Sequence, residues 1–96
     1  MLTGRLEKWI LSGGYGFIAV RGANESAFVH ARAMKKAGIT VVNIDDEYEF
    51  DIKYDQQGRP RAHNVERTAE GFGDTFDLEA SGTVAYRDRV VRTGGW

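Results

Sequence analysis

The residues best suited to chemistry in this sequence are rings. Gly14-Tyr15-Gly16-Phe17-Ile18 is followed, after a loop, by Phe28-Val29-His30. Successive side chains of an extended chain point to opposite faces, so Tyr15 and Phe17 share one face, and Phe28 and His30 share one on the next strand. Ile18, Val20, Ala27 and Val29, with Leu6 and Ile10 from the segment before, already supply an inward apolar set. Rings at strand spacing normally fill cores, but here the core has other tenants and Tyr15, Phe17, Phe28 and His30 are left for the surface. An exposed row of rings is a binding platform, and nucleobases stack on such rings for about 1–3 kcal/mol each without a sequence code. Alternation from Glu7 places Trp9 outward as a further stacking ring. Lys8 and Arg32 stand where they can meet phosphates from the rim, and Gly16 keeps the strip between two rings flat for a ligand's approach.

Competing chemistries find little support. With no cysteine in 96 residues, thiolate catalysis, disulfides and cysteine-based metal sites are excluded. His30 and His63 are too few for a metal centre, and His63 reads as structural. Asp45 and Glu47 sit in a turn with no pocket signal. Ser12-Gly13-Gly14-Tyr15-Gly16 lacks the Gly-Lys-Ser/Thr of a phosphate loop. The chain reads as a binding protein rather than an enzyme, with no cofactor and no metal.

The elements that must carry the platform are short strands. Gly4–Ile10, Tyr15–Val20 and Ser26–His30 form three in succession, separated by Ser12-Gly13-Gly14 and by Arg21–Glu25. Ala31–Ala37 are helix formers closed by Gly38, enough for a turn or two of helix. Tyr48, Phe50, Ile52 and Tyr54 alternate with Glu49, Asp51 and Lys53 in a half-buried fourth strand. The turn Asp55-Gln56-Gln57-Gly58 leads to a fifth around Ala62–Val65. Five short strands without a crossover helix give an all-β fold, a five-stranded antiparallel OB-type barrel with a short helical turn after the third strand.

These residues resemble those of the cold-shock domain family, small OB-type barrels that bind single-stranded RNA and DNA. The resemblance runs from about Gly4 to Val65 through Lys8-Trp9, Gly14–Ile18, Phe28-Val29-His30, Pro60, Ala62 and Asn64-Val65. It implies base stacking on Tyr15, Phe17, Phe28 and His30, with Trp9 at the family's Phe position in its Lys-Trp-Phe run. Departures stand beside it: Lys8 where the family has Trp, Gly13 where it has Lys, and Ala31 at an often aromatic position. They imply weaker or differently spaced binding. The resemblance further implies an RNA chaperone or a regulator of transcription or translation.

Charge and length complete the expectations. Formal net charge is −1, with 42% hydrophobic and 28% charged residues, so bulk electrostatics cannot supply the affinity and stacking must. No apolar run approaches a membrane span, and no signal-peptide pattern opens the chain, which reads as cytoplasmic. Residues 1–68 form the barrel domain and 69–96 a linker-like C-terminal extension, with short strands at Thr83–Tyr86 and Arg89–Val91. Phe72 and Phe76 among Glu70, Asp74, Asp77 and Glu79 carry rings and negative charge as a nucleic acid does. The extension could therefore fold over the platform as an autoinhibitor, and its deletion would then tighten binding. A solubilising tail, or a strand that pairs with a barrel edge or drives self-association, are the other readings. The rival for the whole protein is a protein-interaction module that uses the aromatic face.

Overall fold

A computed structural model describes residues 1–79. The expected short strands at Thr83–Tyr86 and Arg89–Val91 lie outside the described residues. In chain order the elements are β1 (Leu2–Ile10), β2 (Tyr15–Val20), β3 (Ser26–His30), α1 (Ala31–Lys36), β4 (Val41–Asn43), β5 (Glu47–Tyr54), β6 (Pro60–Ala69) and β7 (Thr75–Asp77). Five strands close a barrel in the order β1-β2-β3-β6-β5, and β4 and β7 form a separate two-stranded sheet. Four seams of the barrel are antiparallel; the closing seam, β3 to β6, is parallel and joins Phe28 to Arg61.

The core is the inward set of the alternating strands. Leu6, Ile18, Ala27, Val29, Tyr48 and Phe50 are fully buried, and Val20, Ala62 and Val65 nearly so. Tyr54 continues the inward parity of β5 but stands exposed where the strand leaves the barrel. Met34 of α1 is buried, which anchors a helix too short to persist alone. Both helix ends are closed. The His30 side chain accepts the Arg32 backbone N–H, and Gly38, in the left-handed region at φ 82°, donates to Lys35 O while Ile39 donates to Met34 O.

Two of the barrel's three register shifts break the alternation of burial. In β1 the partners run Leu6 to Ile18 and then Lys8 to Phe17, so Glu7 is an extra residue. In β6 the register slips between Glu49/Glu66 and Asp51/His63, at Asn64 with φ 52°. Each bulge sets two consecutive residues outward between two buried ones: Glu7 and Lys8 between Leu6 and Trp9, His63 and Asn64 between Ala62 and Val65.

Residues 70–79 are packed on the barrel. β7 pairs with β4, Leu78 is buried, and Leu78 N–H donates to Thr40 O. Gly71 lies against the turn at Ile44–Asp46 so closely that a Cβ there would collide with backbone atoms of all three residues. At the centre of this junction is Asp46, wholly buried. Its carboxylate accepts from Asn43 N–H (2.8 Å), Tyr48 Oη–H (2.8 Å) and Gly71 N–H (2.6 Å), with Arg67 Nε at 3.8 Å. Burial and the Asp46 carboxylate raise the Tyr48 phenol pKa far above its ordinary value, so Tyr48 stays the proton donor. One carboxylate thus ties β4, β5, β6 and the segment after β6 together.

Candidate nucleic-acid interface

The platform forms on the outer face of β2 and β3 because those strands pair in a register that places ring beside ring: Phe17 opposite Phe28, and Tyr15 opposite His30. Tyr15 and Phe28 stack across the seam at 5.1 Å between centroids and 24° between planes. Phe17 meets both edge-on, at 5.9 Å from each, with interplanar angles of 88° to Tyr15 and 78° to Phe28. These are favoured aromatic geometries, so the rings hold one another in place while each remains half-exposed. Cations border them on two sides. Lys8 Nζ lies 5.8 Å from the Phe17 centroid, and the Arg61 guanidinium carbon 4.7 Å from that of Phe28. The turn after β5 forms a wall. Asp55 Oδ1 accepts from the backbone N–H of Gln57 and of Arg59, each at 2.9 Å, and Oδ2 from Arg59 Nε at 3.2 Å. Those bonds, that to Arg59 foremost, hold the Asp55 carboxyl below its ordinary pKa. Between wall and rings is a concavity of about 360 Å³, lined by Tyr15, Phe17, Phe28, Arg59, Pro60 and Arg61 among others.

His30 presents a neutral ring. Its Nδ1 accepts the Arg32 N–H at 3.0 Å, which leaves the proton on Nε2. Burial, then the charges of Arg32, Arg61 and Lys35, lower its pKa below 6.5. Arg32 is exposed in the first turn of α1 and borders a second concavity with Phe28 and His30.

The structure therefore brings together Tyr15, Phe17, Phe28 and His30, with Lys8 and Arg32 at the rim. Trp9 is not among them. It is 6% exposed and belongs to the core, contrary to the outward placement expected from alternation. The cause is the Glu7 bulge, which turns Lys8 outward beside Phe17 and Trp9 inward. Gly16 is corrected with it. Gly16 faces the core, where a Cβ would collide with the Trp9 ring and Lys8 O, so its role is to admit the indole rather than a ligand. Arg61 was missed by sequence reasoning. Its parity opposite Ala62 marked it as outward, but its place beside Phe28 comes from the non-local parallel closure of the barrel.

The sequence that folds into this barrel has a match among known families: the model described as 'Cold-shock' DNA-binding domain matches residues 3–68. The chain belongs to the cold-shock domain family. Cold-shock domains bind nucleic acids and are not enzymes. A cold shock-like protein of Aquifex aeolicus (strain VF5) is 38% identical over 52 residues, 54% of this chain and 73% of that protein. Cold shock protein 1 of Arabidopsis thaliana is 34% identical over 71 residues, 74% of this chain and 23% of that protein. Cold shock domain-containing protein 4 of the same plant is 33% identical over 52 residues, 54% of this chain and 26% of that protein. The chain spans about a quarter of the length of the two plant relatives. The family match ends at residue 68, so the packed segment 70–79 lies outside the matched residues. That segment does not lie on the platform: the concavity over the rings is lined by residues of β2, β3, β6 and the Asp55–Arg59 turn. Among the described residues no helix is long and apolar enough to cross a membrane.

Proposed function

We propose that this protein binds single-stranded RNA or DNA by stacking successive bases on Tyr15, Phe17, Phe28 and His30, while Lys8, Arg32 and Arg61 meet the phosphates. The observation that carries this reading is the half-exposed ring cluster itself, with a cation over the face of Phe17 and another over Phe28. The rings hold one another in place, and a base that stacks on Phe28 takes the face the Arg61 guanidinium covers, which turns that cation toward the phosphates. The neutral His30 ring stacks without adding to the desolvation of charge on binding. Such binding is tolerant of sequence, because every base has a π-face. It suits an RNA chaperone that holds strands transiently, or a regulator of transcription or translation.

Titration of an unlabelled oligothymidylate by calorimetry tests the proposal. Phe28→Ala and Phe17→Ala are each expected to weaken binding about 5- to 150-fold, the equivalent of one lost stacking contact. The wild-type affinity is expected to fall with rising salt, as phosphate contacts require. Full affinity in both variants overturns the stacking site. Absence of binding by the folded wild-type protein leaves the aromatic face to a protein partner.

A further inference from the structure

The cationic surface does not end with the platform. The concavity over the rings adjoins a second, of about 300 Å³, with which it shares Phe28 and Arg61. The second adjoins a third, of about 520 Å³, with which it shares Ala33, Lys36 and His63. Together they make one track from the rings of β2 and β3, across the end of the barrel where α1 packs on β6, to Asn64. The lining along the second part is Arg32, Lys36 and Arg61 with the two imidazoles His30 and His63; Glu66 stands at the far end.

The local backbone builds this feature. Without the bulge at Asn64, strict alternation would give β6 one outward residue between Ala62 and Val65. With it, both His63 and Asn64 face the track. Asn64 holds the left-handed conformation that Asn tolerates better than most residues, and its Nδ2 donates to Asp51 Oδ2 at 3.0 Å. On the opposite bank the Schellman turn at Gly38 ends α1 just after Lys36, and this side chain lines the track together with His63.

We propose that this second stretch is a nucleotide-binding extension of the platform: the strand that leaves His30 continues between α1 and β6, with Lys36 at a phosphate and the His63 ring against the next sugar or base. The inference rests on the stacking platform for its ligand, and it lengthens the site rather than moving it. A polyanion fits this track because its cations come from two elements facing each other across the floor, as a backbone running between them requires. The rings of His30 and His63 mark two stacking positions along the same path.

The test compares a tetrathymidylate, which fills the platform, with an octathymidylate, which reaches the extension, using wild type, Lys36→Gln and His63→Ala. Wild type is expected to prefer the longer strand by more than the statistical gain from its additional registers. Lys36→Gln is expected to weaken the longer strand about threefold at moderate salt and to reduce the slope of log affinity against log salt by about 0.7. Both variants are expected to bind the shorter strand as wild type does. Octathymidylate affinity unchanged in both variants, or equal losses on both strands, overturns the extension. Tetrathymidylate binding that ignores Phe28→Ala overturns the platform instead, so the two failures are distinguishable. Both side chains lie outside the core, and an unchanged thermal melt confirms that the variants are folded.

Discussion

Replacing Asp46 by alanine should be among the most damaging single changes outside the apolar core. The carboxylate is completely buried and receives four hydrogen bonds, from Asn43 N–H, Asn43 Nδ2, Tyr48 Oη–H and Gly71 N–H, beside the Arg67 guanidinium. Alanine leaves the buried Tyr48 phenol and the half-buried Asn43 and Gly71 amides without their acceptor, and leaves Arg67, which still donates to Val41 O, without its carboxylate. A buried donor without a partner costs about 1–3 kcal/mol, and a buried ion left without its counterion about 3–5 kcal/mol. These costs overlap because the groups share one pocket, so the expected loss is about 3–5 kcal/mol rather than their sum. That is a large share of the roughly 5–15 kcal/mol available to a small domain. Equilibrium unfolding in urea measures it, as a drop in midpoint with little change in slope. Glu47→Ala is the control, because Glu47 forms an exposed pair with Arg21 at 3.3 Å and should cost no more than about 1 kcal/mol. A loss for Asp46→Ala no larger than that control would refute the reasoning, and the contacts with Gly71 and Arg67 would then be incidental.

Three other outcomes follow from the same structure. Gly16→Ala should destabilise by about 1–3 kcal/mol in thermal unfolding, since its Cβ meets the Trp9 ring and Lys8 O inside the barrel; an unchanged melt would contradict the inward packing of Trp9. Ending the chain after Ala69 removes the buried Leu78 and the Gly71 bond to Asp46, for an expected loss of about 3 kcal/mol, or roughly 15 °C in Tm. Because the His30 pKa is lowered in the folded state, the unfolded chain takes up the proton first as pH falls. Stability is then complete above about pH 6.5 and declines as pH drops through the folded value; urea midpoints between pH 7.5 and 5 should show this, and His30→Asn, which keeps a capping oxygen, should remove that part of the decline.

The part of the fold set by local alternation was legible in the residues. Strands β2, β3 and β5, the short helix closed at Gly38, and the outward face of Tyr15, Phe17, Phe28 and His30 all follow from side-chain parity and turn chemistry. What escaped is what alternation cannot encode. A bulge at Glu7 shifts parity by one residue, and the sequence Glu7-Lys8-Trp9 carries no mark that distinguishes a bulged strand from a regular one. Trp9 and Gly16 were misassigned together because they form one contact. Arg61 came to lie beside Phe28 through a parallel pairing between distant segments, and Asn64 turned outward beside His63 through a bulge in β6. Asp46 lies between Asp45 and Glu47, and nothing in that acidic run marks one of the carboxylates as buried. Its burial depends on Gly71 and Arg67 arriving from the far side, and neither is near it in sequence. The segment after β6 reads as a linker because its glycines and acidic residues match no regular period. Gly71 is instead required for close backbone packing, and Phe76 sits opposite Val42 in the β4–β7 pair.

Whether nucleic acid is read on the ring face of β2 and β3 is decided by NMR, mapping the contact as a short single-stranded oligonucleotide is added. The largest shifts are expected at the ring and backbone signals of Tyr15, Phe17, Phe28 and His30, with Lys8 and Arg61 beside them and with β4 and β7 unmoved. Perturbations concentrated on the β4–β7 sheet or around the exposed Phe72, with the rings silent, would contradict this placement.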